Sequence, residues 1–179
     1  MEVEAKYRVK CESLNSIAQK LEALGFKKTK EWIEVDEYYQ HPCRNFLVTD
    51  EALRIRQRGD GVIELTYKGP REKSLDYKGR LELTTVVADE NSLREILEAL
   101  GFRSAIVVIK KRRSYGKNGV EISLDEVDGL GCFIEIEGGL NEIETIAREL
   151  SLRKEDYVAE TYAELLLALR DSNRSHPGY

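Results

Sequence analysis

Histidine is almost missing from this chain. His41 sits in a turn-like His-Pro pair and His176 in a polar tail, which argues against a histidine triad or a His-rich zinc site. Cysteine is nearly as scarce. Cys11, Cys43 and Cys132 are far apart, odd in number and without CxxC spacing, so a disulfide framework and a thiolate zinc site are both disfavoured. Three reduced thiols in a cytoplasmic protein are the expectation. Long apolar runs are also lacking. The longest, 105–109 and 165–169, fall far short of the roughly 20 residues a membrane helix needs, so no membrane partner is expected. The start, Met1-Glu2-Val3-Glu4, lacks the basic and apolar regions of a signal peptide. Finally there is no basic excess: 28 Lys and Arg face 33 Asp and Glu, a net charge of -5. A broad nucleic-acid surface is not expected. Any chemistry must rest on carboxylates, lysines and arginines.

What is present is charge in quantity. Charged residues make up 34% of the 179 positions and hydrophobic ones 41%, enough for one core with a large polar surplus. The hexapeptide Leu21-Glu22-Ala23-Leu24-Gly25-Phe26 recurs unchanged as Leu97-Glu98-Ala99-Leu100-Gly101-Phe102, at an offset of 76. Each copy closes a helical pattern: Leu14, Ile17, Ala18, Leu21 and Leu24 share one face, as do Leu93, Ile96, Leu97 and Leu100. Ser92 and Glu95 have capping-box spacing, and Gly25 and Gly101 stand where a left-handed stop is expected. The same offset sets Tyr39 on Tyr115 and the strand around Glu4 on the strand around Arg80. The expected organisation is one domain, 1–170, of two half-repeats, about 1–76 and 77–152. Further helices are expected over 141–150 and 160–170, and a polar tail over 171–179.

Between the helices lie strands whose two faces differ throughout. Glu2, Glu4 and Lys6 oppose Val3, Ala5 and Tyr7. Arg54 and Arg56 oppose Leu53 and Ile55; Glu64, Thr66 and Lys68 oppose Ile63, Leu65 and Tyr67. Arg80 and Glu82 oppose Leu81 and Leu83; Glu121, Ser123 and Asp125 oppose Val120, Ile122 and Leu124. Glu135 and Glu137 oppose Ile134 and Ile136. With Val107 and Ile109 outward, Lys110 and Arg112 join the polar face; a bulge would put Lys111 and Arg113 there instead. Like charges two apart on one face repel, and call for a counter-ion or a charged ligand. A barrel closed with its apolar side against the helices would hold these charges inside. Glu2, Glu4, Asp125, Glu135 and Glu137 offer hard oxygen ligands for Mg²⁺ or Mn²⁺. Arg54, Arg56, Lys68, Arg80 and a basic residue near Arg112 suit phosphate oxygens. Tyr38, Tyr39 and Tyr162 read as core aromatics, with packing at the mouth of the charged tunnel the alternative for Tyr162 in the last helix, and Lys27, Lys28 and Lys30 as a solvated strand edge.

These residues, taken in order, resemble the CYTH family, the triphosphate tunnel metalloenzymes. Glu2-Val3-Glu4-Ala5-Lys6 matches the family's opening Glu-x-Glu-x-Lys, and Asp36-Glu37-Tyr38-Tyr39 its Asp-x-Tyr-Tyr strand. Ala52-Leu53-Arg54-Ile55-Arg56, Thr66-Tyr67-Lys68-Gly69-Pro70, Arg80-Leu81-Glu82, Lys110-Lys111-Arg112, Asp125-Glu126-Val127, 130–137 and Thr161-Tyr162-Ala163-Glu164-Leu165 follow. The similarity runs from Met1 to about Arg170 and is greatest to the class IV adenylyl cyclase branch. It implies an α+β fold: a closed antiparallel β-barrel or tunnel of about eight strands with a polar interior, flanked by helices, in pseudo-twofold halves. It also implies metal binding (Mg²⁺ or Mn²⁺) by Glu2, Glu4, Asp125, Glu135 and Glu137. Phosphate binding falls to Lys6, Arg54, Arg56, Lys68, Arg80, Lys110 and Arg112, and a catalytic part to Glu2, Glu4, Lys6 and Glu82. The expected partner is ATP or another triphosphate, turned over by a cyclase, with a triphosphatase and a non-catalytic polyphosphate binder as alternatives; a homodimer is left open. One departure stands out: where the family often has Arg-x-Glu-x-Glu, this chain has Thr84 at the last position, one carboxylate fewer.

Overall fold

The repeated hexapeptide builds the same helix stop twice. In the computed structural model, which describes residues 3–71 and 80–174, helices α1 (Leu14–Ala23) and α3 (Glu90–Ala99) end alike. Phe26 N donates to Leu21 O and Gly25 N to Glu22 O; Phe102 N donates to Leu97 O and Gly101 N to Glu98 O, all at 2.9 Å. Gly25 and Gly101 have φ of 85° and 90°, the left-handed conformation that this stop requires and that a Cβ disfavours. The start of α3 differs from the expected box. Asp89 is the N-cap and accepts from Ser92 N, while Ser92 itself lies inside the first turn. An aspartate with extended backbone just ahead of the helix competes successfully for that role.

Eight antiparallel strands, β1 (Glu4–Val9), β2 (Lys27–Gln40), β3 (Ala52–Arg58), β4 (Ile63–Lys68), β5 (Glu82–Val87), β6 (Arg103–Lys117), β7 (Val120–Val127) and β8 (Gly131–Glu137), form one sheet. Their order is β1-β8-β7-β6-β2-β3-β4-β5. It is symmetric: β1 matches β5, β8 matches β4, β7 matches β3 and β6 matches β2, each pair at the same step of a strand-helix-three-strand plan. The expected closure is not found. The order ends on β1 and β5, and no hydrogen-bonded pairing joins these two among the described residues. Lys27, Lys28 and Lys30 lie at the start of β2, ahead of Glu34 where its pairing with β3 begins, and Lys27 and Lys28 are exposed. Leu81 and Leu83, expected on a covered apolar face, are 59% and 57% exposed, because β5 ends the sheet beyond the strands that α3 covers.

The chain divides into two compact units. In the unit Ile33–Ile109, the short helix α2 (Phe46–Thr49) and α3 cover the apolar face of β3 and β4. Its core is Tyr39, Phe46, Leu53, Ile55 and Leu97, with Ile63, Leu65 and Tyr67 packed against it. The other unit comprises the rest of the described chain. There α1 and α4 (Leu140–Glu149) lie on the apolar face of β1, β7 and β8 around Leu21, Ile122, Ile134, Ile136 and Ile143, each nearly or fully buried. Cys11 and Cys132 are joined as a disulfide in this unit, and Cys43 is free and exposed. This corrects the expectation of three reduced thiols: Val9 is paired with Cys132 across β1 and β8, so Cys11 is carried to its partner by the sheet. The last helix, α5 (Tyr162–Arg174), runs past Arg170 into the expected tail because no breaker precedes Pro177. No described helix is long and apolar enough to cross a membrane.

Candidate functional site

In the unit that contains β1 and β8, strand register sorts the polar face into rows. Glu4 stands opposite Glu137, and Glu137 opposite Glu121. The next row is Lys6, Glu135, Ser123 and Ser114, and the next Arg8, Phe133, Asp125 and Arg112. Lys6, Lys110 and Asp125 are 6%, 3% and 0% exposed. Glu2 lies outside the described residues. The open choice on β6 has a definite outcome. Lys110 and Arg112 share the face of Asp125, while Lys111 is exposed and Arg113 reaches the Asn15 side chain at 3.1 Å.

Charge on this face is matched in detail. Arg112 holds Asp125 with a fork, Nε to Oδ1 at 2.8 Å and Nη2 to Oδ2 at 2.5 Å, and also bonds Glu135. Lys6 Nζ lies 3.4 Å from Glu135 and donates to the Glu160 carbonyl at 3.1 Å. Tyr162, at the start of α5, donates its hydroxyl to Asp125 at 2.9 Å and lies beneath the Lys6 and Lys110 ammonium groups. Burial pushes the Glu135 carboxyl up, but Arg112, Lys6 and Lys110 together outweigh it and hold it well below the usual carboxylate range. Burial, and then Glu135 and Asp125, push the Tyr162 phenol up. Tyr162 was expected in the core; it is buried, with its polar end in the site.

The polar face of the Ile33–Ile109 unit carries arginines and a lysine in close pairing with carboxylates. Its rows are Asp36, Arg56 and Glu64; Tyr38, Arg54, Thr66 and Thr84; and Ala52, Lys68 and Glu82. Arg56 forks onto Asp36 at 2.6 and 2.7 Å and reaches Glu34 at 3.3 Å. Arg54 lies 3.6 Å from Asp36, and Lys68 lies 2.7 Å from Glu82. Arg80 is half-buried just before β5. Burial, then the Arg54 charge, lower the Lys68 ammonium, with Arg80 adding to the effect and Glu82 opposing it. Burial pushes the Glu82 carboxyl up, but Lys68, Arg54 and Arg80 bring it below its ordinary value. Tyr38 is on this face beside Arg54, whereas Tyr39 is in the core. Sequence reasoning missed Glu34 as part of the set. The alternation Glu34-x-Asp36-x-Tyr38 carried the signal.

The donor chemistry of Glu4, Asp125, Glu135 and Glu137 fits a hard divalent cation: every ligand atom is a carboxylate oxygen, and Glu4 and Glu137 are directly opposed across two strands. Yet among the described residues no three such side chains converge on one point, and Arg112 takes up oxygens of both Asp125 and Glu135.

Antiparallel strands with one face of carboxylates and buried cations, and helices on the other, define an α+β protein with a charged, ion-paired sheet face. The chain belongs to the CYTH family, whose domain model matches residues 1–162. It is 34% identical over 173 residues to a Methanocaldococcus jannaschii protein named “Putative adenylate cyclase MJ0240”, covering 91% of this chain and 98% of that one. The structure of PH1819 from Pyrococcus horikoshii OT3 is similar with a TM-score of 0.81 at 40% identity, over 95% of this chain and 100% of that one. A Hippeastrum protein, HpAC1, described as having a dominant triphosphatase activity, shares the fold with a TM-score of 0.66 at 18% identity, over 96% of each chain.

Proposed function

We propose that this protein is a divalent-metal-dependent enzyme acting on ATP or a related triphosphate, with a reaction like that of class IV adenylyl cyclases. The carrying observation is the row of opposed carboxylates Glu4, Glu137 and Glu121 with buried Lys6 in the next row, in a family that acts on triphosphates with divalent metals. Glu2, Glu4, Asp125, Glu135 and Glu137 would hold Mg²⁺ or Mn²⁺, which neutralises phosphate charge and polarises a phosphoryl oxygen. Lys6, Arg54, Arg56, Lys68, Arg80, Lys110 and Arg112 bind the phosphate chain, and Glu82 sets the position of Lys68 through their 2.7 Å contact. In the cyclase reaction the ribose 3′-oxygen forms a bond to the α-phosphorus. The bond from that phosphorus to the bridging oxygen breaks, pyrophosphate leaves, and the hydroxyl proton passes to a carboxylate or to water. The name of the M. jannaschii relative supports this reading.

A triphosphatase reading uses the same residues, with water attacking the terminal phosphorus, and a dominant activity of that kind is described for the Hippeastrum protein. A product assay separates the two. Purified protein is given ATP, and separately tripolyphosphate, with Mn²⁺ or Mg²⁺. Cyclic AMP with pyrophosphate is the expected outcome. Orthophosphate without cyclic AMP establishes the triphosphatase, and tight binding without product a non-catalytic binder. Full turnover in excess chelator would sink the metal requirement.

A further inference from the structure

On the polar face of the Ile33–Ile109 unit two threonines stand directly opposite each other, Thr66 on β4 and Thr84 on β5. Their hydroxyl oxygens are 3.0 Å apart, and either can donate. Thr66 is fully buried, and Thr84 above it is exposed. One strand further in, Arg54 stands opposite Thr66, and its Nη2 donates to the Thr66 hydroxyl at 3.4 Å. The Arg54 side chain is only 9% exposed, and its Nε has no hydrogen-bond acceptor.

The donor count leaves a surplus. Two hydroxyls bonded to each other consume one of their two hydrogens, so one hydrogen is left over whichever way the bond points. Arg54 Nε is a second donor without an acceptor. The neighbouring carboxylates are already engaged, Asp36 by the Arg56 fork and Glu82 by Lys68. What is missing here is an acceptor with several oxygens and negative charge. A carboxylate at position 84 would instead add an acceptor and a cation ligand.

We propose that the Thr66–Thr84 hydroxyl pair, with Arg54 Nε, contacts a phosphoryl oxygen of the triphosphate directly, and that this wall binds its phosphate without a divalent cation. The inference rests on the triphosphate reading above. Thr84 is thereby a specificity-determining residue: its neutral hydroxyl keeps the wall selective for anion.

Calorimetric titration with tripolyphosphate tests this, in Mn²⁺ and again in excess EDTA, on the whole protein and on three variants whose folding is checked by thermal unfolding. The unaltered protein binds under both conditions. Thr84→Ser keeps the hydroxyl and stays within about twofold. Thr84→Val loses it and binds about tenfold more weakly in EDTA. Thr84→Glu, which sets a carboxylate where the anion's oxygen belongs, weakens EDTA binding by about a hundredfold. Binding by the unaltered protein in Mn²⁺ but not in EDTA would overturn this inference alone, as would equal affinities for Thr84→Val and the unaltered protein. No binding under either condition would overturn the triphosphate reading itself.

Discussion

Arg112 is the counter-ion of buried Asp125 and half-buried Glu135, and Glu135 shows what that arrangement does to a single group. Its carboxyl is held well below the ordinary 4.5, burial being outweighed by Arg112, Lys6 and Lys110. A depressed folded pKa contributes stability that is present above the unfolded value and is lost as pH falls below it. Glu135→Gln is therefore expected to cost about 1.5–3 kcal/mol at pH 7, as for loss of a charge-assisted hydrogen bond, since Arg112 keeps its fork to Asp125. The variant should also show a shallower loss of stability between about pH 4.5 and pH 2 than the unaltered protein. Urea unfolding at a series of pH values checks this; parallel pH profiles would refute it. The polarity of Glu135 was legible in the sequence because a strand's side chains alternate with period 2. Its partners were less so. Which cation meets which acid depends on register between strands far apart in the chain, and the Arg112, Asp125 and Tyr162 junction joins β6, β7 and α5.

At the scale of elements, the two copies of the hexapeptide offer an internal control. Gly25 and Gly101 share one backbone conformation, so an alanine pays the same left-handed penalty of about 1–2 kcal/mol at each. Their surroundings differ. A Cβ at Gly25 would meet only the flexible end of Lys117 at 3.4 Å, whereas at Gly101 it would lie 3.2 Å from the ring of Pro42. Gly101→Ala should thus destabilise more than Gly25→Ala in denaturant unfolding, and the reverse order would refute the contact. The helices and their glycine stops were legible because they depend on near neighbours. The cap of α3 was misread for the same local reason: both Asp89 and Ser92 are good cap residues, and backbone geometry, not spacing, chooses between them.

At the scale of the whole molecule, the disulfide links residues 121 positions apart. By loop-closure entropy such a link is worth about 4–5 kcal/mol. Native protein is expected to expose one titratable thiol, that of Cys43, and reductant should lower the melting temperature markedly. Three reactive thiols in the native state would refute the link. Nothing in the spacing of three cysteines reveals it, since the pairing is set by the β1–β8 register. The offset of 76 lays α1 on α3 and β2 on β6 but not β3 on β7 or β4 on β8, and the ends of the sheet have no sequence trace: alternation says which side of a strand is polar and is silent on whether the first and last strands meet.

The division of the chain bears on how it is made. The Ile33–Ile109 unit is one uninterrupted stretch, while the other unit draws on residues before and after it. On a ribosome the inner stretch emerges whole and can pack while the C-terminal strands are still unsynthesised. Strand β1, translated before the Ile33–Ile109 stretch, waits for β8 after it, since Glu4 pairs with Glu137. That long-range closure is the slow kind, so the carboxylate row is assembled late in biogenesis and the wall of Arg54, Arg56 and Lys68 early.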